Sequence, residues 1–98
     1  TTTPIVDDRA SKTRQARDYE LLDSSIVQFN AIAKRVMLEM NVPVNDLYTT
    51  VSHSKSPQTK DTLIGADGVH LTPTGQKLLG NTVADFIELE LAKASQEP

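Results

Sequence analysis

NVPVNDLY, Asn41–Tyr48, is the stretch on which the fold class turns. Val42, Val44, Leu47 and Tyr48 suit a short β-strand, with Pro43 near its entrance. Read as a strand, it makes the preceding segment a crossover helix. Asp23, Ser24 or Ser25 can cap that helix. Ile26, Phe29, Ala33, Val36 and Met40 then recur at spacings of three or four, with Ile32 and Met37 widening the stripe. The spacing predicts an amphipathic helix with one buried face, Met37 and Met40 acting as core filler. Asn41 suits the left-handed residue that closes such a helix.

Further upstream, TTTPIV (1–6) reads as a second strand: three β-branched Thr, then Pro4, Ile5 and Val6. Pro4 lacks one ladder donor, which places it near a strand end or on an edge. DDRASKTRQARD (7–18) is polar and mixed in charge, and reads as a solvated loop. Downstream, residues 49–66 hold many Ser, Thr, Lys and Gly, and read as one long loop. Thr72 and Pro73 then open a last helix, as N-cap and first helical residue. Leu79, Val83, Phe86, Ile87 and Leu91 mark its buried face, and the tail after Lys93 is expected to fray.

The order strand, helix, strand, helix implies a parallel strand pair with a right-handed crossover. A parallel pair needs cover on both faces. The expected fold class is therefore α/β, a strand-helix-strand-helix unit resembling the last third of a larger domain. The abrupt TTTPIV start, without an initiating Met, fits a processed or expressed segment.

Composition narrows the partners. The chain has 98 residues, a net charge of −3 and a hydrophobic fraction of 38%, with aromatics at only 4%. That is one domain with a modest core. Its ten basic residues are dispersed along the chain, against nucleic acid as a partner. No apolar run approaches the roughly 20 residues of a membrane span. Cysteine is absent, which removes disulfides and thiol chemistry but leaves the compartment open.

The chemistry concentrates in GADGVHLTPTGQKLLG (65–80), where Asp67 and His70 stand three residues apart. In a turn, the carboxylate can accept from one imidazole nitrogen and fix the tautomer. The other nitrogen is then free to take a proton from a nucleophile. Gly68 between them permits a tight turn with positive φ. His53, in TTVSHSKSP, is the only other histidine and reads as a solvated loop residue. No HxH or HExxH spacing is present, so no metal site is expected. Asn45, Asp46 and Tyr48 read as turn and strand-end residues, with lining of a ligand site as the alternative.

The run DGVHLTPTGQKLLGNTVADFI (67–87) resembles the final block of the SGNH hydrolases, the GDSL-type esterase and lipase superfamily. The matching features are Asp67, His70, the apolar Leu71, the turn Thr72–Thr74, Gly75, and a helix from Leu78. FNAIAKRVMLEMNVPVNDLY (29–48) resembles the helix and strand before that block, and TTTPIV the strand before those. The resemblance implies a three-layer α/β/α sandwich of flavodoxin-like type, with residues 1–98 as the C-terminal segment of a single domain. It also implies cofactor-free hydrolysis of acyl esters, acetylated carbohydrates among them. His70 would be the general base and Asp67 the residue that orients it.

The family's nucleophilic Ser block and its oxyanion-hole Gly and Asn blocks have no counterpart here. Asp23-Ser24-Ser25 lacks the preceding Gly and opens a helix, so it reads as a cap. The resemblance therefore implies a chain that supplies Asp and His while the nucleophile lies elsewhere. The alternative is a non-catalytic α/β interaction module with a degenerate Asp-x-x-His, self-associating through an exposed sheet edge. A third reading is a small domain that binds an anion at the Thr72 helix start.

Overall fold

The computed structural model describes residues 1–96, and its regular elements are helices. They are α1 (Asp7–Thr13), α2 (Asp23–Glu39), α3 (Leu47–Ser52), α4 (Lys60–Leu63) and α5 (Pro73–Gln96). The β structure among the described residues is one antiparallel bridge, Ile64 with Leu71. This corrects the α/β expectation: among the described residues there is no parallel strand pair, no strand-helix-strand-helix unit and no α/β/α sandwich.

Thr1 to Val6 is extended, as its β-branched residues favour, but its partners are side chains and loops instead of a strand. The Thr2 amide donates to Asn30 Oδ1, and Asn30 Nδ2 donates back to the Thr2 carbonyl, each at 2.9 Å. The Asn30 amide thus imitates one rung of a ladder. The Ile5 amide donates to Asp23 Oδ1 (2.9 Å), and the Val6 amide to the Gly68 carbonyl (2.9 Å). At the other end, the Thr1 nitrogen donates to the Asn45 carbonyl at 2.8 Å.

NVPVNDLY fails as a strand because its last residues begin a helix. Asp46 caps α3, its Oδ1 accepting from the Thr49 amide at 3.3 Å. Its first residues close α2 in a Schellman motif. Asn41 takes φ 56°, and the Val42 amide donates to the Met37 carbonyl at 2.9 Å. Burial by itself would raise the Asp46 carboxyl. Hydrogen bonds from Lys34, Thr49 and Thr1 outweigh that and hold it well below the usual carboxylate range.

Two segments read as loops also carry structure. α1 opens with Asp7 and Asp8 and ends near Lys12, the charge order that a helix dipole favours, and it buries Ala10. Residues 49–66 contain most of α3 and all of α4, and they supply the core. Val51, Leu63 and Ile64 are buried with Leu79 of α5, and Val6, Leu47, Leu71 and Leu78 pack around them. Gly75 allows α5 to press on α4: a Cβ there would lie 2.3 Å from the Leu63 carbonyl oxygen. Thr72 caps α5 as expected, its Oγ1 accepting from the Gly75 amide at 3.1 Å. Ile87 and Leu91, expected to be buried, are exposed. α5 continues beyond Lys93 to Gln96, and the last two tail residues lie outside the described ones.

α2 departs furthest from expectation. Its one buried side chain is the polar Asn30, while Phe29 is 69% exposed and Ile32, Val36 and Met40 also face outward. Helices α3, α4 and α5 pack together, and α2 packs substantially on none of them. Asp23 is its first residue and has no capping role; Leu22 holds the cap position without a side-chain bond. The molecule is drawn out to 55 × 31 × 18 Å, with a radius of gyration of 15.6 Å against about 13 Å for a compact chain of this length. It exposes 7034 Å², about 1,500 Å² more than a compact monomer of 10.7 kDa. With no sheet among the described residues there is no sheet edge for self-association, and the exposed large apolar residues lie mostly along α2 and at the far end of α5. No helix among the described residues is long and apolar enough to cross a membrane.

Asn30→Ala is expected to cost about 2 kcal/mol, because it removes two hydrogen bonds and leaves both Thr2 backbone groups without partners. Urea denaturation followed by circular dichroism measures this. A loss below about 0.5 kcal/mol would mean that water replaces Asn30 freely.

Candidate functional site

Residues 64–72 form a loop pinched at its base. The Gly65 amide donates to the His70 carbonyl (2.7 Å), and the Thr72 amide to the Leu63 carbonyl (2.9 Å). The base of the loop therefore grows from the buried Leu63 and Ile64, the best-packed part of the chain. Inside it, the Gly68 amide donates to the Gly65 carbonyl at 3.0 Å. Gly68 takes φ 76°, which reverses the chain between Asp67 and His70.

That reversal brings together the two residues singled out by sequence. Asp67 Oδ1 accepts from the Val69 and His70 amides, each at 2.9 Å. Asp67 Oδ2 is hydrogen-bonded to His70 Nδ1. One carboxylate oxygen thus builds the turn while the other orients the ring. The Asp67 side chain is mostly covered, whereas His70 is 81% exposed, and its Nε2 has no hydrogen-bond partner among the described residues. A ring held at Nδ1 and open at Nε2 can accept a proton from a donor placed beside it.

The His70 ring hydrogen bond, then the Val69 and His70 amides, hold the Asp67 carboxyl well below the usual carboxylate range. A depressed native value stabilises the folded loop above the ordinary carboxylate pKa of about 4, and the effect fades as pH falls below it. Amide exchange at Val69 and His70 should therefore be slow and flat in protection from pH 5 to 7. Protection should weaken when the pH is taken down toward 2. Equal protection at both ends would show that the carboxylate contributes nothing to the turn.

The other residues considered from sequence do not join the dyad. His53 sits exposed at the end of α3. Asp46 bonds Thr1, Lys34 and Thr49, and Tyr48 Oη donates to Asp23 Oδ2 at 2.6 Å. That bond, then burial, pushes the Tyr48 phenol up to about 12. These are the structural roles that the sequence favoured for them, now serving α3 where a strand end was expected. Asn45 Nδ2 is buried without a partner. No three His, Cys, Asp or Glu side chains among the described residues converge as a metal site. Four surface clefts of about 320 to 480 Å³ are lined by other residues, none by Asp67 or His70.

Sequence reasoning missed the supports of the loop, which come from α1. Arg9 Nη1 donates to the Ile64 and Asp61 carbonyls (2.9 and 3.1 Å), and Arg14 Nη1 to the Asp67 carbonyl (3.1 Å). The one available signal was the charge order of Asp7, Asp8 and Lys12 around Ala10. Comparison of the chain with family models, with curated proteins and with solved structures finds no match.

Proposed function

We propose that this chain supplies the Asp and His of a serine ester hydrolase acting on acyl or acetyl esters, its nucleophile lying on residues outside these 98. One observation carries the reading. Asp67 holds His70 by Nδ1 and leaves Nε2 open at the surface, the arrangement a general base needs before a hydroxyl is set beside it. The resemblance of residues 67–87 to the last SGNH block supplies the reaction class, with small acyl esters or acetylated carbohydrates as substrates. The roughly 1,500 Å² of surplus surface is consistent with a chain completed by other residues.

Groups of a triad act as a unit, so a base without its nucleophile gives almost nothing. The 98-residue chain by itself is expected to hydrolyse an unactivated alkyl acetate, which a lone imidazole barely attacks, no faster than its His70→Ala variant. A buffer-corrected rate that disappears in His70→Ala would place the nucleophile within this chain and overturn that part of the proposal.

A second reading, a non-catalytic interaction module, is favoured by one feature: the outward apolar stripe of Phe29, Ile32, Val36 and Met40. The two readings part at His70, which an interaction module does not need.

A further inference from the structure

We propose that Arg14 of the α1 end is a positioning residue for the His70 base: its guanidinium, by holding the Asp67 carbonyl, fixes the turn that presents the Asp67 carboxylate to His70 Nδ1. The inference rests on the hydrolase reading for its purpose, but its geometry stands in this chain alone.

The argument begins at Gly68. The Asp67–Gly68 peptide plane is held through the Asp67 carbonyl, which accepts from Arg14 Nη1 at 3.1 Å. The next plane is held through the Gly68 carbonyl, which accepts from the Val6 amide at 2.9 Å. Two peptide planes flanking one residue determine its φ and ψ. The left-handed turn is thus held from outside as well, by the two residues that flank α1, Val6 and Arg14. The two backbones also touch: a Cβ on Gly68 would lie 2.5 Å from the Ala10 nitrogen and 2.6 Å from the Val6 oxygen. Arg9 adds a third tie to the same loop through the Ile64 carbonyl at 2.9 Å.

Of the two ties on the peptide planes of Gly68, Arg14 is the one that a substitution can remove without touching the backbone. Its Nη1 also reaches the Ala10 carbonyl at 3.3 Å, so the guanidinium bridges the last turn of α1 to the dyad loop. A lysine would bring a compact ammonium on a flexible stem, where arginine has a planar, pre-organised fork able to serve both carbonyls. The guanidinium does not touch the reacting atoms. It acts through the Asp67 main chain, and its effect is to be read at the imidazole.

The test is the tautomer of His70, read from the nitrogen shifts of 15N-labelled imidazole in the full chain. In the parent chain the neutral ring should carry its proton on Nδ1. Arg14→Ala should lower the ratio of Nδ1–H to Nε2–H about fivefold, the worth of one ordinary hydrogen bond. Arg14→Lys should recover part of it. Lys12→Ala, on the same helix but without a bond to the loop, should change nothing. An unchanged ratio in a folded Arg14→Ala overturns the inference. Loss of the fold in both Arg14→Ala and Arg14→Lys also overturns it, because Arg14 would then be a general stability residue. A parent chain with no Nδ1–H excess would instead overturn the dyad itself, and with it the hydrolase reading.

Discussion

Gly68→Ala is expected to destabilise the chain by about 4 kcal/mol and to release the dyad loop. Two costs combine. A φ of 76° is a conformation that an L side chain adopts at a penalty of about 1–2 kcal/mol. The new Cβ would also meet the Ala10 nitrogen at 2.5 Å and the Val6 oxygen at 2.6 Å, both backbone atoms. Neither can rotate away, so α1 must lift off the loop. A chain with a core this small has a total stability toward the low end of the usual 5–15 kcal/mol, so such a loss removes most of it. Gly80→Ala is the matched control. Gly80 lies inside α5 with open space around it, and alanine there should add about 1 kcal/mol. Thermal melts of the two variants should move in opposite directions from the parent. A Gly68→Ala melt within a few degrees of the parent would mean that the turn is not held as described.

The second large effect concerns the native gene product that contains these 98 residues. There, His70→Ala should lower kcat/KM for an acetyl ester by about 10⁴-fold or more, since the base and nucleophile act together. Asp67→Asn should cost roughly 10³- to 10⁴-fold, because an amide no longer fixes the Nδ1–H tautomer. The double variant should be no worse than His70→Ala, as residues of one unit are not additive. A double variant whose loss is the product of the two single losses would show that Asp67 and His70 act separately. Unchanged turnover in His70→Ala would remove His70 as the base, and a parent gene product without turnover would leave the interaction reading in place of the hydrolase.

The dyad was legible in the sequence because its cause is local. Asp67, Gly68 and His70 lie within four residues, and an Asp side chain bonding amides two and three residues on is a local turn signal, whatever else steadies the turn from outside. The ends of α2 and α5 were legible for the same reason: Asn41 and Thr72 act on their immediate neighbours. The strands were not, because a strand is defined by its partner. Thr1 to Val6 is extended as its composition suggests, but Asn30, Asp23 and Gly68 take the bonds that a neighbouring strand would have taken. NVPVNDLY carried two short signals, a Schellman ending and an Asp46 cap, that together outweigh four apolar residues. The core was misplaced because Val51 and the pair Leu63–Ile64 stand in polar surroundings, and α1 was misread because ten of the twelve residues from 7 to 18 are polar, Ala10 and Ala16 being the exceptions. The α2 stripe was correctly periodic, yet periodicity says which residues share a face and not whether anything covers it.

Labelling the native gene product with a fluorophosphonate, followed by peptide mapping, tests the central claim most directly. The serine Oγ would attack phosphorus and expel fluoride, marking the nucleophile covalently. The account predicts one labelled serine outside residues 1–98, and a labelling rate that falls by orders of magnitude in His70→Ala. A label on any serine of residues 1–98, or a labelling rate indifferent to His70, would contradict it.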